Sequence, residues 1–257
     1  MKFTRLACAV CLGASLVAVP AAAQGGDVFA QPVLGFVPKP GWPPAGPVPR
    51  LADGKPDLSG PWAPNALRVN NNTDSTVKDI PMMPWVAELL KQRRAVIGKD
   101  DPEGLCLPPG LPRSNTTPFP FRIVQSPGYI VIVYEGGAHV WRQIFTDGRP
   151  HPQDPNPSWQ GDSIGHWDGD TLVVDTVGFN GKSWIDAAGL ATTESLHVIE
   201  RIRRINRGHL EIEHTIDDPL AYTKPWKITI QPMLLDGELM EYICQENNKD
   251  MQHMVGK

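Results

Sequence analysis

From Phe121 onward, apolar and polar residues alternate in short runs that stop at turn residues. "FRIVQS", "YIVIVYE", "HVWRQIFT", "SIGHW", "DTLVVDTVGF", "SLHVIERIRRI", "HLEIEHTID", "WKITIQPMLL" and "ELMEYICQ" are rich in β-branched and aromatic residues, and each reads as a strand. Between them stand Pro127-Gly128, Gly136-Gly137, Asp168-Gly169, Arg207-Gly208 and Asp236-Gly237. Links this tight join antiparallel neighbours. The pattern predicts one mainly β domain over residues 65–257, an antiparallel meander closing into a barrel or sandwich. One helix is expected from Pro84 to Ile97: Pro84 suits its first turn, Trp85, Leu89 and Val96 fall near one face, and Gly98 can end it. Residues 24–64 are dense in proline and show no hydrophobic period, so they read as an extended strap over the surface and not as core.

One hairpin breaks the one-polar-face rule. In "ESLHVIERIRRINRGHLEIEHTIDDP", a three-residue loop Asn206-Arg207-Gly208, with Gly208 supplying positive φ, makes cross-strand partners sum to 414. Ile205 then faces His209, Arg203 faces Glu211, Arg201 faces Glu213 and His197 faces Asp217, a ladder of opposite charges suited to a solvated face. The other face is aliphatic except for Glu200, directly opposite His214. Burying a carboxylate and an imidazole among aliphatics is costly unless they bond to each other. Such a pair in a dry cavity is also equipped for proton transfer, with both pKa values moved toward neutrality. Glu200 and His214 are therefore the first catalytic candidates, and His197, Arg201 and Asp217 become the alternatives if the register slips by one.

The chain opens "MKFTRLACAVCLGASLVAVPAAAQ", with Lys2 and Arg5 ahead of an apolar run and small residues up to Ala23. This has the parts of a cleaved secretory signal peptide, residues 1–23, too short in its apolar run to span a bilayer. Neither Cys8 nor Cys11 sits in a lipoprotein box, so no stable membrane anchor is expected. Removal takes away two cations and no anion, which moves the net charge from −4 to −6. That balance argues against nucleic acid or an anionic membrane surface as partner. Only Cys106 and Cys244 remain; in an oxidising compartment two cysteines are most simply a disulfide, the alternative being two buried thiols.

"DGKPDLSGPW", "CLPPGLPR", "RQIFTDGRPHP", "GDTLVVDTVGF", "TIDDPLAYTKPW" and "EYICQENN" together resemble a family of secreted bacterial proteins. The resemblance covers about residues 51 to 250 and implies export, but it carries no activity with it. Separately, Gly60-Pro61-Trp62 ahead of a β meander is similar to the G-x-W that opens lipocalin-like barrels, while the long Pro-rich loops depart from that compact pattern.

Further candidates cluster at a strand end in "RQIFTDGRPHP": Arg142, Asp147, Arg149 and His151 precede a Pro-rich loop, where barrel mouths tend to carry function. Arg149 and His151 are expected to clamp an anionic or carbonyl group. Tryptophans, Trp167 and Trp226 among them, are candidates to wall a cavity for a flat or apolar ligand. His166, Asp168 and Asp170 alternate in "HWDGDT", but Asp168-Gly169 is better explained as a hairpin turn, and no metal is expected. Ser163 and Ser195 lack a nucleophile elbow, and no Gly-rich phosphate loop appears. No cofactor is therefore expected. The favoured reading is a cofactor-independent acid–base enzyme of lyase, isomerase, hydratase or hydrolase type acting on a small organic molecule in a barrel cavity; the alternative is a non-catalytic lipocalin-like carrier or sensor. A third, an envelope interaction protein, would use the charged ladder.

Overall fold

The computed structural model describes residues 39–64, 79–96, 98–138 and 140–246. The expected signal peptide lies outside them. Ten strands make one sheet: β1 (Gly60–Ala63), β2 (Phe121–Ser126), β3 (Tyr129–Tyr134), β4 (Trp141–Phe145), β5 (Asp162–Asp168), β6 (Thr171–Val177), β7 (His197–Asn206), β8 (His209–Asp217), β9 (Trp226–Ile230) and β10 (Met233–Leu234). They lie in the order β10-β1-β2-β3-β4-β5-β6-β7-β8-β9, and β10 also pairs with β8, so the sheet closes into a barrel. β9 and β10 are one stave broken at Gln231-Pro232, since proline cannot donate to a ladder. The upper part pairs with β8 from Ile212 to Ile216, and the lower part joins His209 of β8 to β1. Alternate residues of each stave point inward and form the core, including Ile123, Ile132, Ile144, Val174, Ile202, Ile212 and Ile228. The mainly β barrel and its one α-helix, α1 (Pro84–Ala95), match the expected fold.

Several local expectations are corrected. Residues Gly60–Ala63 belong to the ring, and Leu58, Trp62 and Ala63 are fully buried, so the strap reading fails at its last residues. Four residues containing a proline are too short to display an alternation. "ELMEYICQ" forms no strand. The ring has already closed at β10, and this tail is tied instead by the Cys106–Cys244 disulfide, by Met240 N donating to Glu135, and by Tyr242 against Phe119. α1 buries Val86 and Leu90 and leaves Trp85 exposed. Met83 N bonds to Ala221 O and the Trp85 indole donates to Leu220 O, which sets the helix's rotation from outside its own sequence.

One connection departs from the antiparallel meander. β4 and β5 run parallel and share a single pair, Phe145 with Ile164. The segment between them contains Pro150, Pro152, Pro155 and Pro157 and returns along the barrel instead of making a hairpin. This leaves a seam between β4 and β5, and the seam matters for the site.

The β7–β8 register is the expected one from His197–Asp217 through Arg204–Leu210, with Glu200 paired to His214. At the turn it shifts: Asn206 pairs with His209, and Ile205 drops out of the ladder as a bulge. The expected role of Gly208 is also corrected. It does not take the left-handed conformation; a Cβ there would instead meet Pro43 Cβ at 2.7 Å and Pro44 O at 2.9 Å. The strap over this turn is fixed by Arg207 N donating to Gly46 O and by the Trp42 indole donating to Leu234 O.

Candidate functional site

Six inward-facing polar residues gather at one end of the barrel. Tyr134 ends β3, Arg142 and Ser163 stand second in β4 and β5, Thr176 lies near the end of β6, Glu200 near the start of β7 and His214 near the end of β8. The β5–β6 and β7–β8 turns are at the opposite end. A seventh residue, Asn115, comes from a short 3-10 turn (Arg113–Asn115). Arg113 anchors that turn below the surface through Asp101 at 2.6 and 2.7 Å and Glu103 at 2.7 Å. Residues 109–117 are all buried, so this loop plugs the barrel end and carries the Asn115 amide into its axis.

Asn115 is the centre of the arrangement. Its Nδ2 donates to Glu200 Oε1 at 2.7 Å and lies 3.0 Å from His214 Nε2, while the Tyr134 hydroxyl donates to Asn115 Oδ1 at 2.7 Å. The opposite amide orientation would set an oxygen against the carboxylate, so the network itself selects this one. His214 Nε2 is then an acceptor, and the proton of the neutral ring sits on Nδ1, which makes no hydrogen bond of good geometry. Glu200 and His214 are close but not directly bonded: Oε1 and Nε2 are 3.5 Å apart and share the amide between them.

The second Glu200 oxygen meets Arg142, with Nη2 2.5 Å from Oε2. Nη2 carries two N–H groups, and it also donates to Thr176 Oγ1 at 2.7 Å. Arg142 Nε donates to Ser163 Oγ at 3.0 Å, and its guanidinium also interacts with the Tyr134 phenol. Both charged side chains are essentially inaccessible, at 1 % and 0 %. An ion pair this dry persists only because its attraction is equally unscreened.

Burial, the largest single influence, would raise the Glu200 carboxyl, but the charges of Arg142 and His214 together with hydrogen bonds from Arg142 and Asn115 outweigh it and hold the group below the ordinary carboxylate range. Burial lowers the His214 imidazole, and the Glu200 charge only partly opposes this. Burial pushes the Tyr134 phenol up. The resting site is thus an anionic Glu200, a cationic Arg142 and a neutral His214. The expectation that both pKa values move toward neutrality is corrected for both: Arg142 beside it holds Glu200 down, and burial takes His214 below its ordinary value.

A cleft of about 410 Å³ opens on the outside of the barrel at the β4–β5 seam. Trp141, Phe145 and Trp159 line it together with Arg142 and Ser163. Trp141 is 57 % exposed. The cleft thus lies over the buried polar chain, whose Arg142 and Ser163 are among its lining residues although both are buried.

The remaining candidates lie elsewhere. Arg149 is an exposed residue paired with Asp147 at 2.6 Å and stacked over Phe145, and the Asp147 carboxyl is held down by that hydrogen bond. His151 turns against the outer face: Nδ1 is 2.6 Å from Asp162 Oδ1, and Nε2 is 3.1 Å from Asp175 Oδ1. His197 Nε2 lies 2.8 Å from that same Asp175 oxygen, not against Asp217. Arg201 pairs with Asp168 and Glu213 with Lys227, so the ladder's partners are partly exchanged with neighbouring strands. Trp226 is buried against Tyr222, and Trp167 packs on the core beneath Lys55; neither lines the cleft. Asp170 of "HWDGDT" pairs with Arg50. Among the described residues, no group of three or more His, Cys, Asp or Glu side chains is arranged to hold a metal ion. No helix among them is long and apolar enough to cross a membrane.

Asn115, Tyr134 and Thr176 had no place among the sequence candidates. The only available signal was indirect: a buried carboxylate–imidazole pair has more hydrogen-bonding capacity than two groups can satisfy, so further polar partners had to exist.

No protein-family model matches the chain, and no curated protein matches it. Among solved structures, the wild-type fluorescent protein UnaG is similar at 14 % identity, over 69 % of this chain and 96 % of that one, with a TM-score of 0.32. A point mutant of UnaG is similar at 12 % identity, over 47 % and 73 %, with a TM-score of 0.28. A likeness this slight carries no argument about function, and the barrel described above stands on its own strand pairings.

Proposed function

We propose that the protein is an exported binder of a small organic molecule, received in the cleft at the β4–β5 seam. One observation carries this reading: a cleft of about 410 Å³ is lined by Trp141, Phe145 and Trp159 together with Arg142, an arginine paired with buried Glu200. Apolar walls with a few fixed polar groups at this volume are the usual makings of a ligand site. Of the residues expected from the sequence to contact ligand, Arg142 is retained, with Trp141 and Trp159 in place of Trp167 and Trp226. Export is supported by the disulfide, which persists in oxidising compartments. The test is mass spectrometry of organic extracts from periplasmically expressed protein, wild type against Trp141→Ala. A compound retained by the wild type and lost from the variant is expected. Equal retention by both would remove the cleft from consideration.

Acid–base catalysis of the lyase, isomerase, hydratase or hydrolase type is the second reading, favoured by the sequestered Glu200–Asn115–His214 chain. In that reading the neutral His214 accepts a proton at Nε2 after Asn115 releases it. Binding is preferred because Nε2 is capped by Asn115 and Glu200 is committed to Arg142.

A further inference from the structure

Given that the cleft is where a ligand binds, the side chains on the barrel's outer face set the ligand's chemistry. Along β4 the buried Arg142 and Ile144 alternate with Trp141, Gln143 and Phe145, and at the start of β5 Asp162 precedes the buried Ser163. Alternation therefore turns Trp141, Gln143, Phe145 and Asp162 outward, and all four line the cleft, with half-buried Trp159 beside them. Gln143 is committed to the Tyr129 hydroxyl. Aromatic rings and one carboxylate remain.

Charge then selects the occupant. Among the described lining residues the one cation is Arg142, which is buried against Glu200. Arg149 lies over the Phe145 ring, feels the Asp162 charge and is paired with Asp147. Asp162 shares the His151 ring with Asp175, which also meets His197, and its side chain stays 26 % exposed. An anion entering the cleft would meet this carboxylate, whereas a cation is attracted both by it and by the rings. Arg149 at 3.9 Å from the Phe145 centroid already shows a cation held on a lining ring. A bare ammonium would give up strong hydration for Asp162 alone, while an alkylated one is weakly hydrated and packs its methyl groups on indole.

We infer that the ligand is a small organic cation carrying an alkylated ammonium group, seated against Trp141 and Trp159 with Asp162 as its counter-charge. Buried Arg142 makes no contact with it.

The experiment compares choline, its neutral carbon isostere 3,3-dimethylbutan-1-ol and the anion 3,3-dimethylbutanoate by ligand-observed NMR titration of disulfide-intact protein purified after periplasmic expression. Choline is expected to bind at least about tenfold more tightly than the alcohol, with the anion weakest. Its affinity should fall about threefold or more between about 20 and 500 mM salt, and the alcohol's should not. Trp141→Leu, which keeps apolar bulk without the ring, should weaken choline by about fivefold or more and the alcohol by less than about twofold. Asp162→Asn, with its melting profile checked, should weaken choline to a similar extent and leave the alcohol unchanged. The alcohol binding as tightly as choline, or the anion binding most tightly, would overturn the inference while leaving the cleft a binding site. Choline affinity unaltered by Trp141→Leu would overturn it too. No binding of any probe would have the same force, and a compound still extracted from the wild type but not from Trp141→Ala would then keep the binding reading separate from it. Should Asp162→Asn fail to fold, the order of the three probes and the Trp141→Leu result decide.

Discussion

Asn115, on the loop that plugs the barrel, donates to Glu200 on β7 at 2.7 Å across 85 positions of sequence. This contact joins a segment without regular strand structure to the centre of the sheet, and it positions the same amide against His214. Replacing Asn115 by alanine leaves a buried carboxylate oxygen, a buried imidazole nitrogen and the Tyr134 hydroxyl short of a partner. The expected loss is about 1–3 kcal/mol or more in urea unfolding. Asn115→Asp should be worse than alanine, because it sets a second carboxylate beside Glu200. An aspartate variant as stable as the wild type would show that the amide hydrogen bonds do not hold the site together.

Glu200 and His214 both make the fold acid-labile, whereas burial raises Asp186 and Glu103 and gives them the opposite sign. His214 has a folded-state value below its ordinary 6.5, so between the two values the unfolded chain binds more protons and stability falls as pH falls. Glu200, held below its ordinary 4.5, has the same sign: its contribution is full above that value and is lost as pH drops through the folded value. Stability should therefore begin to decline below about pH 6.5 through His214, while below about 4.5 the loss from Glu200 is opposed by Asp186 and Glu103. In His214→Gln the first part of the decline should disappear while the behaviour below about 4.5 remains. Chemical unfolding across pH 4 to 8 for both proteins checks this, and parallel curves would exclude His214 as the source.

How much of this was visible beforehand depends on the range over which a signal acts. The pairing of Glu200 with His214 was legible, because a two-residue period and a local turn fix which residues oppose each other along β7 and β8. Arg204, one step beyond the inner-face residues that were read, is also buried; it lies over the Trp62 ring and donates to Asp57 O and Arg207 O. Arg142 was picked out for the wrong company: sequence proximity suggested Arg149 and His151, whereas alternation in β4 turns Arg142 inward and those two lie beyond the strand, in the loop that follows it. Asn115 was illegible, since nothing local indicates which loop residue enters a barrel. The β4–β5 seam was hidden for a related reason. Proline marks a loop, but not whether the chain returns parallel or antiparallel.

The Cys106–Cys244 bond closes a separation of 138 residues and ties the strandless tail to the plug loop, with Cα atoms 5.6 Å apart. Thiol labelling of the unfolded, unreduced protein lacking residues 1–23 should find no free cysteine. Reduction should lower stability by up to about 5 kcal/mol in the chain-entropy model. Two labelled thiols would contradict the pairing.

Arg149 and His151, adjacent in sequence, should separate in mutagenesis. Arg149→Ala removes an exposed partner of Asp147 and should leave the melting temperature within error. His151→Ala removes the ring that links Asp162 to Asp175 and sets those two carboxylates against each other across the vacated space, so it should lower the melting temperature measurably. Equal effects would show that the outer chain of carboxylates and imidazoles contributes nothing beyond a solvated surface.

The strap provides the last test, at Gly208. This glycine is not required by its backbone conformation; it is required because Pro43 and Pro44 pass within 2.7 and 2.9 Å of where a Cβ would stand. Gly208→Ala should therefore destabilise by about 1–3 kcal/mol through overpacking, and the cost should depend on the strap. In a chain shortened to begin at Val48, which has its own penalty from losing the Trp42–Leu234 hydrogen bond, the same substitution should cost little. A double-mutant cycle over the two changes isolates the coupling from that penalty. Strain in the turn itself would predict the same cost with and without the strap. A coupling near zero would therefore return the glycine to a conformational role and loosen the case that residues 39–47 are packed against the barrel.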